Sequence, residues 1–144
     1  MRQTCLPLAL CLALAACSSQ PDGQLPGNVQ DDQPFSAIAP DEVIRLVGTE
    51  PFWGGEIAGD VLRWSTPENI DGQAISVERF AGRGGLSFSG TLDGGAIDIV
   101  VTPAPCSDGM SDRTYPFAVT VQKRAEQLNG CGWSDRQPYT GGSE

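Results

Sequence analysis

Between Phe52 and Trp133 apolar and polar residues alternate in short runs, and most runs end at Gly, Pro, Asn or Asp. A period of two puts successive side chains on opposite faces of an extended chain, so each run reads as a half-buried strand. Leu62 and Trp64 face one way, Arg63 and Ser65 the other; Ile75 and Val77 oppose Ser76 and Glu78. Leu86, Phe88 and Leu92 alternate with Ser87, Ser89 and Thr91. Ile97, Ile99 and Val101 mark a further run, Phe117, Val119 and Val121 another, and Gln127 to Trp133 a last. Gly59-Asp60 reads as a two-residue hairpin turn between Phe52–Ala58 and Val61–Thr66, and Asp93-Gly94-Gly95 and Gly82–Gly85 as further turns. Val43–Val47 reads as a first strand or a short helical turn. No segment carries an amphipathic helical stripe over three turns. Seven or eight strands at about ten-residue spacing predict an all-β domain, a small antiparallel β-barrel whose closure removes exposed edges. A β-sandwich is the competing arrangement.

The N-terminal part is of another kind. Arg2, the apolar stretch Leu6 to Ala15 and the small residues before Cys17 have the three parts of an export signal. The apolar stretch falls short of the roughly 20 residues a membrane helix needs. Leu14-Ala15-Ala16-Cys17 followed by Ser18-Ser19 reads as a lipoprotein signal, with Cys17 the lipidated N-terminus of the mature chain. Two or more acyl chains anchor a protein stably where one does not. Ser18 replaces the Asp that enterobacterial sorting uses for inner-membrane retention, which points to the outer membrane of a Gram-negative bacterium. Residues 18–40 are rich in Pro, Gly, Gln and Asp and hold no sustained apolar period, so they read as a disordered tether. The expected organisation is a signal peptide over 1–16, lipidated Cys17 with its tether to 40, a barrel over 41–139 and a flexible tail over 140–144.

The net charge is −9, and the signal removes one base, Arg2, so the mature chain is more acidic still. Nucleic acid, which needs clustered Lys and Arg, is excluded as a partner. Cys5 and Cys11 leave with the signal, which leaves Cys106 and Cys131 in the domain. Export to an oxidising compartment favours a disulfide, and two cysteines allow one pairing. The chain has no His and the pair is not a C-x-x-C, so the donors for a thiolate-rich metal site are too few. No cofactor is expected.

Two segments stand out: Gly48-Thr49-Glu50-Pro51-Phe52-Trp53, and Cys106-Ser107-Asp108-Gly109-Met110-Ser111-Asp112-Arg113-Thr114-Tyr115-Pro116. Together they resemble the signature pair of a family of Gram-negative envelope lipoproteins. In that family a GTEPFW-like segment opens the domain, a C-x-DGMSD-x-x-YP loop follows, and a Gly-Cys lies near the C-terminus, as Gly130-Cys131 does here. The resemblance spans nearly the whole domain; it implies class and location and carries no assigned activity. A weaker similarity is to membrane-bound lysozyme-inhibitor lipoproteins, which pair a lipid anchor with a small disulfide-containing barrel.

In the first segment, Pro51 holds Glu50 extended, and a regular strand sends Phe52 and Trp53 to opposite faces. They are either packing aromatics or, for the ring nearer the mouth, a ligand platform. Gly54-Gly55 suggests a bulge or a close approach of neighbouring chain. In the second segment Asp108 and Asp112 can accept loop N–H groups, and Asp112 or Glu50 can pair with Arg113. The loop then staples itself, or holds Ca²⁺ between its carboxylates, or presents a surface together with Trp53. The candidate binding surface is Glu50, Trp53, Asp108, Met110, Asp112, Arg113 and Tyr115.

Without His, Ser-His-Asp and Cys-His catalysis are excluded. The expected function is a non-catalytic binding module held on the membrane by its lipid, with an envelope protein or glycan as partner. The alternatives are an inhibitor of lysozyme or another hydrolase, and an enzyme that uses Glu50 with Asp108 or Asp112 on envelope glycans.

Overall fold

The computed structural model describes residues 33–142. The export signal, Cys17, most of the tether and the last two residues of the tail lie outside the described residues. The described chain contains eight strands and no helix. They are β1 (Ile44–Thr49), β2 (Phe52–Ala58), β3 (Val61–Thr66), β4 (Asn69–Ala81), β5 (Leu86–Leu92), β6 (Gly95–Cys106), β7 (Tyr115–Lys123) and β8 (Glu126–Ser134). Each is antiparallel to its neighbour in sequence, and β8 returns to β1, pairing Ile44 with Ser134 and Val47 with Cys131, to close the barrel. The residues around Val43–Val47 are a strand, not a helical turn.

The alternation becomes inside and outside. Ile44, Leu46, Ile57, Leu62, Phe88, Ile97, Ile99, Val101, Phe117, Val119 and Val121 are buried in one continuous core. The barrel is therefore filled with side chains, and each buried Ile, Leu or Phe contributes about 1.5–3 kcal/mol of transfer free energy. Trp53 turns inward and is buried, whereas Phe52 is 54% exposed. Two glycines admit the indole. A Cβ on Gly48 of β1 would overlap the Trp53 ring, and one on Gly130 of β8 would lie 2.7 Å from its Cζ2. Gly54-Gly55 makes no bulge: β2 runs in unbroken register with both neighbours, and the glycines accommodate close side chains, Ser65 over Gly54 and Leu46 over Gly55. β4 turns a corner, pairing with β3 as far as Ser76 and with β5 from Val77 onward.

The end of the barrel opposite the β1–β2 turn is stoppered by the segment before β1. Ile38 is 1% exposed and belongs to the core, with Phe35 packed against it. The Phe35 N–H donates to the Gly82 carbonyl at 2.7 Å, and Arg79 donates to the Ile38 carbonyl at 2.9 Å. Glu42 is buried, accepting from the Ala39 N–H at 2.9 Å and from the Ser134 hydroxyl at 2.5 Å. The tether expected to reach Pro40 thus ends earlier, because Phe35 and Ile38 have barrel interior to enter. The tail also begins later than Thr140, whose N–H and carbonyl pair with those of Thr114 at 2.9 and 2.7 Å.

Candidate functional site

The β6–β7 connection carries the second motif and folds back over the outside of β8 and β1. Three ties hold it there. Cys106 and Cys131 form the expected disulfide, with Cα atoms 5.6 Å apart. The Thr49 hydroxyl donates to the Asp108 carbonyl at 3.2 Å. The Thr114–Thr140 pairing lays the C-terminal segment alongside.

Inside the loop Asp108 is the organising group. Its carboxylate accepts from the N–H of Met110 at 3.0 Å, the N–H of Ser111 at 2.8 Å, the Ser111 hydroxyl at 2.8 Å and the Tyr115 phenol at 3.0 Å. This is an Asx-type turn, in which a short carboxylate substitutes for a backbone acceptor. The Met110 and Ser111 N–H groups, which favour the charged form, hold the Asp108 carboxyl far below the usual carboxylate range. With both oxygens so engaged, Asp108 has few lone pairs left for Ca²⁺, which needs six to eight oxygen ligands. Among the described residues no group of three or more Asp, Glu or Cys is arranged to hold a metal.

Arg113 does not form the expected ion pair. Its guanidinium carbon lies 4.4 Å from the centre of the Tyr139 ring, a cation–π contact. Tyr139, Trp133 and Tyr115 form a triangle of rings with centroids 5.5–5.6 Å apart, in tilted and edge-on arrangements. Burial pushes the Tyr115 phenol up. The ion pairs among the described residues lie elsewhere, Arg45 with Glu56 and Arg136 with Asp41 and Glu42.

The candidate surface therefore divides. Asp108, Met110, Asp112, Arg113 and Tyr115 share the stapled loop, with Met110 69% exposed at its tip and Tyr115 buried beneath. Glu50 and Asp108 both line a crevice of about 340 Å³, together with Asn129 and Gly130 of β8. The Glu50–Pro51 peptide is cis. Trp53 is not part of this surface; it lies inside the barrel, stacked on Trp64 with centroids 4.9 Å apart. Sequence reasoning missed Trp133 and Tyr139 as partners of the loop. The parity of β8 offered one signal, since Trp133 alternates with inward Gly132 and Ser134 and so faces out.

Asp108→Ala is expected to lower stability by about 1–2 kcal/mol at neutral pH, the usual worth of a side chain that caps backbone N–H groups. The folded-state carboxyl titrates below its unfolded value of about 3.9, so its contribution is complete above that value and fades as pH falls beneath it. Urea denaturation of both chains across an acid pH series should show their difference shrinking below about pH 4. A difference constant with pH contradicts the assignment.

No protein-family model, curated protein or solved structure matches the chain.

Proposed function

We propose that this chain is an outer-membrane lipoprotein, anchored through Cys17, whose barrel is a non-catalytic module that binds an envelope protein through the loop 106–116. The observation that carries the reading is the organisation of that loop. A disulfide, a four-donor carboxylate and a paired C-terminal segment hold it in one conformation, while its one large apolar side chain, Met110, stands in solvent. A pre-ordered loop surrenders little conformational entropy on docking. Methionine adapts its shape to the surface it meets. The filled interior supports a role on the surface rather than in a central calyx.

The charge state of Asp108 removes it as the general acid of the glycosidase alternative. A general acid needs a carboxyl whose pKa is raised toward the working pH, and Asp108 is displaced the other way. The rigidity of the loop equally suits a hydrolase inhibitor, a special case of the same docking. Adding purified protein to a lysozyme assay separates the two: inhibition lost on Met110→Asp supports it, and an unchanged rate removes it.

Two measurements test the reading. Cys17→Ser is expected to move the protein from the membrane fraction to the soluble fraction; retention in the membrane refutes the anchor. In envelope extracts, in vivo crosslinking through the loop should capture a protein whose yield falls at least tenfold with Met110→Asp and with the Asp112→Ala, Arg113→Ala pair. If those variants only lower the melting temperature and capture persists, the loop is structural and the assignment is wrong.

A further inference from the structure

The outer wall of the barrel is not uniform. On β4 to β7, Phe80, Ser87, Val100 and Thr120 lie opposite one another in register, and Thr102 pairs with Ala118 in the next row. The alternation that sends Phe88, Ile99, Val101 and Val119 into the core sends these residues outward. Neither row holds a charge, on a chain whose net charge is −9. Depletion of charge marks contact surfaces. Phe80, 66% exposed, and Val100, 43% exposed, are the apolar part of this face.

The charges that border the face are ordered. Arg83 stands exposed in the Gly82–Gly85 turn, at the stoppered end of the barrel. Glu78 and Asp98 lie one row toward the opposite end. Asp60 is held at the Val77 N–H, on the side of β4 away from the face. The path of the chain is a second, independent observation. The Phe35 N–H bonds to the Gly82 carbonyl, and Arg79 to the Ile38 carbonyl. The segment that comes from Cys17 therefore meets the barrel at the turn that carries Arg83, beside Phe80.

We propose that this face rests on the phospholipid surface in which the protein's own lipid is inserted, with Phe80 entering the headgroup boundary and Arg83 meeting its phosphates. The proposal rests on the anchor at Cys17. Area favours lipid over a second copy of the chain. Four strands and two rows cover on the order of 200 Å², whereas a stable dimer needs about 800 Å² from each partner. A tethered domain needs no such area. A flexible chain of the length of residues 18–32 spans about 20 Å, which holds the face near the surface at millimolar effective concentration. Aromatic rings and arginines suit the interface, and an acidic domain meets an anionic surface at least cost through a face without carboxylates. In the closed ring of eight strands, β4 and β5 lie opposite β8 and β1, the strands under the stapled loop. Docking on this face turns the loop 106–116 away from the membrane.

The test uses the full lipidated chain, reconstituted into vesicles of phosphatidylethanolamine with phosphatidylglycerol as the minority lipid. Phe80→Trp and Phe52→Trp each place a fluorophore at an exposed position, the second at the opposite end of the barrel. Lipids brominated near the top of the acyl chain quench an indole that reaches them. Bromolipid is expected to quench the Phe80→Trp chain about twofold more than the parent chain, and the Phe52→Trp chain no more than the parent. Arg83→Glu in the Phe80→Trp chain should remove about half of the extra quenching. All are surface substitutions, and an unchanged melting temperature confirms that the variants fold. If the protein floats with the vesicles but Phe80→Trp adds no quenching, the docking is overturned and the anchor stands. Equal quenching of Phe52→Trp overturns it as well, since the domain then has no preferred face. A chain that fails to float with the vesicles refutes the anchor, and this proposal with it.

Discussion

A chain carrying Cys106→Ser and Cys131→Ser is expected to lose about 3–4 kcal/mol of folding stability, the entropy of closing a loop of this length. The bridge spans 25 residues, which include all of β7 and the loop before it. In the oxidised unfolded chain those residues are already closed into a ring; without the bridge that restriction is gone, and folding must order them alone. The loss should be read from urea denaturation at neutral pH, comparing the variant with the parent chain. A second consequence is local. The bridge is one of three ties that hold the loop over β8 and β1, so crosslinking through Met110 should weaken along with stability. A stability loss below about 1 kcal/mol would mean that the Asp108 turn and the Thr114–Thr140 pairing hold the loop unaided.

Gly48→Ala is expected to cost about 3 kcal/mol, at the upper end of what overpacking a core costs. The added methyl would fall within the indole of Trp53. That ring cannot swing away, because Trp64 stacks on it and Gly130 closes the other side. Gly130→Ala should be comparably severe, since its methyl would also meet the Val47 carbonyl where β8 closes on β1. The cause is testable by a double-mutant cycle with Trp53→Leu. That substitution is itself destabilising, by about 3 kcal/mol, yet Gly48→Ala should cost much less in its background. If the two changes are additive, the clash is not the reason for glycine at position 48.

Much of this architecture was legible because its signals are local. The run Val61–Thr66 states its own inner face, and Gly59-Asp60 and Asp93-Gly94 state where the chain reverses. The hairpin order of the barrel follows from those turns. Asp108 as an acceptor of loop N–H groups was also readable, since an Asp two and three residues before its donors needs no distant partner.

Other features had no local signal. The first motif could not say whether Phe52 or Trp53 entered the core, because a period of two separates faces without naming the inner one. The pairing of Arg113 was misread for a similar reason: Tyr139, which receives it, lies 26 residues away and arrives only through the Thr114–Thr140 bridge. Phe35 and Ile38 sit in a Pro-rich, polar stretch whose average composition describes a tether. Two apolar residues suffice to plug a barrel end, and composition does not register them.

The sequence alone determined the class of fold, the positions of its turns and the cysteine pair, since each depends on neighbours along the chain or on the absence of alternatives. Only the tertiary structure decided that β8 closes on β1, and that Gly48 and Gly130 make room for Trp53. It alone separated that tryptophan from the loop with which it had been grouped. Those outcomes depend on contacts between residues far apart in the chain, and an alternating pattern carries no information about which distant strand will lie beside it.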